Sequence, residues 1–91
     1  MIENEAYEDT YPKRVLTRYN VGDIVEIGPA YRIGGSYYYD GSEGIYTVLG
    51  ELASPYGAPD YYLARGEISN PNKNDWELIV HPSRLSLVRS A

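Results

Sequence analysis

Short runs of alternating apolar residues, each ended within a few positions by glycine, proline or asparagine, recur from residue 21 onward and leave no room for a long helix. The clearest is Val21-Gly22-Asp23-Ile24-Val25-Glu26-Ile27, which puts Val21, Val25 and Ile27 on one side and Glu26 on the other before Gly28-Pro29 stops it. That is the pattern of a half-buried strand. Gly44-Ile45-Tyr46-Thr47-Val48-Leu49-Gly50 predicts a second strand, Tyr61-Tyr62-Leu63-Ala64-Arg65 a third and Trp76-Glu77-Leu78-Ile79-Val80 a fourth. Ser54-Pro55-Tyr56-Gly57-Ala58-Pro59-Asp60 and Asn70-Pro71-Asn72-Lys73-Asn74-Asp75 carry strong turn chemistry. His81-Pro82-Ser83-Arg84-Leu85 predicts one tight 3₁₀ turn before a short closing strand, Leu85-Ser86-Leu87-Val88. Ahead of them all, Arg14-Val15-Leu16-Thr17-Arg18-Tyr19 suits either a short leading strand or a single helical turn.

Five short strands, a long first loop over residues 28–44 and a 3₁₀ turn before the last strand predict an all-β domain: a small five-stranded barrel, closed or nearly so. Closure removes the sheet edges that so small a chain is poorly equipped to protect. With 91 residues and 20 Ile, Leu and Val, the chain has material for one small core. Val25, Ile27, Val48, Leu63, Leu78, Val80 and Leu87 are expected in it.

Charge divides the chain in two. Glu3, Glu5, Glu8 and Asp9 have no basic neighbour within residues 1–9, so most of the net charge of −5 belongs to the N-terminal segment. Residues 1–12 are therefore expected to be a flexible acidic arm, and residues 13–91 the folded domain. The near-neutral body has no basic stripe for a nucleic-acid backbone. The chain has no cysteine, which excludes disulfides, thiolate metal sites and a cysteine nucleophile, and favours a cytoplasmic home for a domain this small. The start of the chain lacks the basic and apolar regions of a signal peptide, and no apolar run is long enough to span a membrane.

Three segments resemble the SH3-like small-barrel superfamily, which includes KOW-type and Tudor-like barrels. Val21–Ile27 is similar to its glycine–acid–alternating-apolar opening strand, and Gly41–Val48 to its glycine-led return strand. Trp76–Val80 with Pro82–Val88 is similar to its last hairpin strand, 3₁₀ turn and closing strand. The resemblance covers about residues 20–89 and implies a five-stranded barrel. Polyproline-binding members carry an acidic run in the first loop, where this chain has Asp40 and Glu43 beside Arg32. KOW domains that bind nucleic acid have basic loops, which are absent here. The resemblance therefore implies a fold and transfers no binding residue.

Little in the chain is suited to catalysis. The one histidine, His81, is a candidate base with Asp75 or Glu77, but a loop histidine bonded to backbone accounts for it better, since no catalytic spacing accompanies it. Asp40-Gly41-Ser42-Glu43 has two acids around a glycine but lacks the remaining oxygens of a calcium loop, so a plain acidic turn is expected. Gly34-Gly35 is followed by no lysine–serine pair and no helix to hold a phosphate. It suits the left-handed turn of a twisted hairpin. No enzyme activity, metal or cofactor is implied.

The aromatic residues remain. Eleven of the 91 residues are tyrosine and none is phenylalanine. Residues 28–44 hold five glycines and four tyrosines, among them Tyr37-Tyr38-Tyr39 in a row. If that row is extended, Tyr37 and Tyr39 share one face and Tyr38 takes the other, with one of the two faces covered. Tyrosine suits recognition surfaces because it presents a large apolar body at low entropic cost, but it can equally replace the missing phenylalanine in the core. On the first view, Tyr31, Tyr37, Tyr39, Tyr56 and Trp76 form a partner-binding surface, with the first loop and the Trp76 strand flanking one groove. The expected function is a non-catalytic protein-interaction module, a small accessory or regulatory factor of a size that suits a phage or mobile element. The alternatives are a single-stranded nucleic-acid binder that stacks bases on tyrosines, and an oligomer that cages a small ligand.

Overall fold

A computed structural model describes the backbone of residues 6–10, 13–55 and 57–91, and the side chains of 15–30, 33–55 and 57–91. Among the described residues, nine strands follow one another: β1 Ala6–Thr10, β2 Lys13–Thr17, β3 Ile24–Ile27, β4 Tyr31–Ile33, β5 Ser36–Tyr38, β6 Gly44–Leu52, β7 Asp60–Arg65, β8 Leu78–Val80 and β9 Leu85–Arg89. Two 3₁₀ turns, Lys73–Asp75 and Pro82–Arg84, are the only helical segments among the described residues. The main body is one five-stranded sheet in the order β8-β7-β6-β3-β9, with every pair antiparallel. β1 with β2, and β4 with β5, form separate two-stranded sheets.

The sheet is open. The sequence predicts a closed or nearly closed barrel, yet β8 and β9 are the two ends of the hydrogen-bonded order. β8 is only three residues long and pairs with β7, and the chain leaves it at Pro82, which has no N–H to continue a ladder. Openness accounts for one misplaced core residue. Leu87 lies opposite the fully buried Val25 but is 41 % exposed, because β9 is the edge of the sheet and no strand among the described residues pairs with its outer side.

Val21 is a second correction, at 55 % exposed. The Asp23 N–H donates to the Asn20 carbonyl (3.0 Å), closing a turn in which Gly22 adopts φ 92°, a conformation that needs glycine. The alternation therefore starts at Ile24, three residues later than the sequence suggests. The Asp23 carboxylate is fully buried and accepts the N–H groups of Asn20 (2.9 Å) and Ala91 (2.8 Å).

Val25, Ile27, Val48, Leu63 and Val80 are buried as expected, and Leu78 packs half-buried against them. The rest of that cluster is Tyr19, Tyr46, Tyr61 and Leu85. Three tyrosines thus stand where phenylalanine would, and each hydroxyl reaches a backbone group. Tyr61 Oη accepts the Tyr19 N–H at 2.9 Å, Tyr19 Oη donates to the Leu85 carbonyl at 3.1 Å, and Tyr46 Oη donates to the Ser42 carbonyl at 2.6 Å. The Tyr19 and Tyr61 rings meet edge to face, 5.4 Å between centroids. No buried side-chain polar atom among the described residues lacks a partner.

In β6, Tyr46, Thr47, Val48 and Leu49 are all buried, which simple alternation forbids. A bulge resolves this: Val48 lies opposite Leu63 and Gly50 opposite Tyr62, leaving Leu49 as an extra residue. Thr47 and Ile24 sit opposite each other on the sheet's other face. The segment after β7 covers that face: Thr47 Oγ1 donates to the Gly66 carbonyl (2.7 Å) and accepts the Ile68 N–H (2.9 Å).

In the N-terminal region, residues 6–10 pair with 13–17 in antiparallel register. Residues 1–5 lie outside the described residues.

Candidate functional site

The long first loop contains the β4–β5 hairpin. Gly34 and Gly35 make its turn with φ 58° and 89°, as the glycine pair predicts. Tyr31 stands opposite Tyr38, Arg32 opposite Tyr37 and Ile33 opposite Ser36, and the Ala30 N–H donates to the Tyr38 carbonyl (2.9 Å). This hairpin makes no strand pairing with the main sheet. One face of the tyrosine row was expected to be covered. Instead Tyr37, Tyr38 and Tyr39 are 55 %, 43 % and 67 % exposed, so both faces of the projecting ribbon present aromatic surface. The side chain of Tyr31 and all of Tyr56 lie outside the described residues.

Asp40–Glu43 forms the root of this hairpin, and its own carboxylates organise it. Glu43 accepts the N–H groups of Asp40 (2.7 Å) and Gly41 (2.9 Å), while Asp40 accepts the N–H and hydroxyl of Ser42. Those Ser42 donors, with Arg84 nearby, hold the Asp40 carboxyl below the usual carboxylate range. The segment forms a turn held by its own hydrogen bonds. The Glu43 oxygens that a cation would need already bind backbone, and no group of three metal-ligating side chains occurs among the described residues.

The carbonyls of the same turn are held from the main sheet by Tyr46 and Arg65, which lie opposite each other on β6 and β7. Arg65 Nη2 donates to Gly41 O at 3.1 Å, Tyr46 Oη to Ser42 O at 2.6 Å and Arg65 Nη1 to Glu43 O at 3.2 Å. Three successive carbonyls thus meet donors from one cross-strand pair. The guanidinium lies 4.8 Å over the Tyr46 ring, and its Nε donates to Glu77 Oε2 at 3.0 Å. The Glu77 hydrogen bond raises the Arg65 pKa further, and burial raises that of Tyr46.

Glu77 leads directly to Trp76. The sequence predicts a strand from Trp76, but β8 starts at Leu78. Trp76 closes the 3₁₀ turn Lys73–Asp75, which is capped by Asn72 Oδ1 accepting the Asn74 N–H (3.0 Å). Its ring is 49 % exposed and meets Tyr62 edge-on at 6.0 Å, and Lys73 Nζ sits 4.8 Å over the Tyr62 ring. Trp76 and the tyrosine row are thus connected through Glu77, Arg65 and Gly41. Sequence reasoning missed Arg65, Tyr62 and Lys73 altogether. A strand-terminal arginine carries no local sign of partners more than twenty residues away.

His81 is the capping residue that its position suggests. Nδ1 accepts the Ser83 N–H (3.2 Å) and lies 2.7 Å from Ser83 Oγ, which starts the 3₁₀ turn Pro82–Arg84. Of the two carboxylates considered as its partners, Glu77 is paired with Arg65. Beside the β3–β6 face lies a shallow groove of ≈ 330 Å³, lined by residues that include Gly22, Ile24, Ile68 and Ala91, with the Glu67–Arg89 ion pair among them. No helix among the described residues is long and apolar enough to cross a membrane. No protein-family model matches the chain, and no curated protein or solved structure shows a significant match to it.

Proposed function

We propose that the protein is a non-catalytic interaction module. It grips another protein between two aromatic rims, Tyr37 and Tyr39 on the hairpin and Trp76 at the approach to β8. The observation that carries this reading is the pairing of exposure with anchorage. The aromatic side chains are open to solvent, while the turn beneath the tyrosines is tied to the strand beside the tryptophan by Arg65. A surface built this way has little ordering entropy left to lose on binding, and tyrosine and tryptophan are enriched at the energetic centres of interfaces.

The strand order supports the SH3-like reading. The last strand lies beside the first of the main sheet, it follows a 3₁₀ turn, and the long loop joins the first two strands of that sheet. A cytoplasmic accessory or regulatory role fits a chain of this size without cysteine.

Exposed tyrosines could also stack the bases of a single strand, but among the described side chains the basic residues near them already have partners. Arg65 pairs with Glu77, Arg84 with Asp40, and Lys73 with the Tyr62 ring. The test is affinity capture from the source cells with the wild type, Tyr39→Ala and Trp76→Ala, alongside anisotropy titrations of labelled oligonucleotides at low salt. A protein retained by the wild type and depleted at least about tenfold by both folded variants supports the proposal. Equal retention by the variants, or salt-sensitive oligonucleotide binding that they abolish, overturns it.

A further inference from the structure

We infer that Arg65 is a strut that couples the tyrosine hairpin mechanically to the Trp76–Glu77 segment before β8, so that the two rims move as one body. The β4–β5 hairpin is a two-stranded ribbon outside the main sheet, and such a ribbon is marginal in water without outside support. Its root receives that support at the Gly41, Ser42 and Glu43 carbonyls, and Arg65 holds the first and third (3.1 and 3.2 Å). The same guanidinium holds Glu77 at 3.0 Å, one residue from Trp76. A planar fork with fixed donor directions can bind two carbonyls and a carboxylate at once, whereas a lysine ammonium cannot reproduce that geometry. Beneath it, the buried Tyr46 ring fixes the height of the fork and its hydroxyl holds the middle carbonyl. Stability of the core does not explain this arrangement, since the Arg65 side chain is 47 % exposed and its contacts lead outward to the loop.

The consequence for binding rests on the interaction-module reading; the strut itself does not. A partner that seats on Tyr37 and Tyr39 would fix the orientation of Glu77 and Trp76, and one that draws Glu77 away would release the hairpin root.

The chain has one tryptophan and no cysteine, which allows a direct test. A Ser36→Cys variant carrying a dansyl acceptor at the exposed hairpin turn reports its distance from Trp76 by energy transfer with excitation selective for tryptophan. Arg65→Met keeps the alkyl stem on Tyr46 but removes the fork, Arg65→Lys keeps the charge, and Arg18→Met removes an ion pair elsewhere as a control. The expected result is a broader distance distribution in both Arg65 variants. Amides 36–42 should also exchange at least about tenfold faster, while those of Val25, Val48 and Leu63 change by less than about threefold. Tyr46→Phe, which removes one carbonyl tie, should show a smaller change of the same kind. Equal acceleration of the core amides would make Arg65 a general stabiliser and refute the strut. Unchanged distances, or full rescue by Arg65→Lys, would refute it as well. A strut that passes with no partner found sinks only the binding proposal, and capture that persists in Arg65→Met with unchanged distances sinks only the strut.

Discussion

Tyr61→Phe removes a single oxygen from the centre of the core, and its effect can be worked out from the contacts. The ring stays, with its edge-to-face partner Tyr19 at 5.4 Å, so packing is nearly unchanged. The hydroxyl that accepts the Tyr19 N–H at 2.9 Å is lost, and that buried amide is left without its acceptor. Losing a neutral hydrogen bond costs about 1 kcal/mol, and stranding a buried donor raises this toward about 3 kcal/mol. The expected destabilisation is therefore about 1–3 kcal/mol. That corresponds to a fall in Tm of about 4 °C or more, since each kcal/mol shifts a domain of this size by about 4–8 °C. Urea unfolding followed by far-ultraviolet circular dichroism measures it, with Tyr37→Phe as the exposed control expected within about 0.5 kcal/mol of wild type. If Tyr61→Phe is as neutral as Tyr37→Phe, the hydroxyl bond is not part of the folded state's stability. The choice of tyrosine over phenylalanine in this core would then have no energetic basis.

Leu63→Ala should destabilise by about 2–4 kcal/mol and Leu87→Ala by under about 1 kcal/mol, and equal losses in denaturant titrations would mean that the sheet's open side is closed in solution. At high pH, burial raises the pKa of Tyr19 and Tyr46 above the ordinary tyrosine value. Their neutral forms therefore contribute stability in full below about pH 10, and it is lost as pH rises through the folded-state values; a melting temperature unaffected by alkali would contradict this. In acid the sign reverses for Asp40, whose pKa is lowered: its contribution persists above the ordinary carboxylate pKa and is lost only as pH falls through the folded-state value below it. Tyr39 and Ser42 amide shifts should accordingly hold steady down to pH 5 and move only in stronger acid. Amides 6–10 should exchange more slowly than those of an unstructured peptide, because β1 is paired with β2, and exchange at peptide rates would contradict that pairing.

Features governed by neighbouring residues were legible in the chain. Alternation ended by glycine or proline marked β3, β6, β7 and β9 to within a few residues, because strand formation and turn chemistry act over that range. Gly34-Gly35 announced a left-handed hairpin turn, His81-Pro82 a 3₁₀ turn, and Asp40–Glu43 an acidic turn, all for local reasons. What a tyrosine does was not legible. Tyr61 and Tyr62 are adjacent and chemically identical, yet one is sealed in the core and the other lies partly open against Trp76. Which of the two points inward depends on pairing with β6, whose bulge at Leu49 has no sequence mark. Leu87 looked like core until β9 proved to be an edge, and Arg65 looked like a strand end until the fold brought it to carbonyls 22 and 24 residues away. Sequence pattern determined where strands and turns lie, since those depend on backbone preferences and nearest neighbours. Only the tertiary structure decided which aromatics are core, which are surface and what holds the surface in place, because burial and anchorage depend on contacts between residues far apart in the chain.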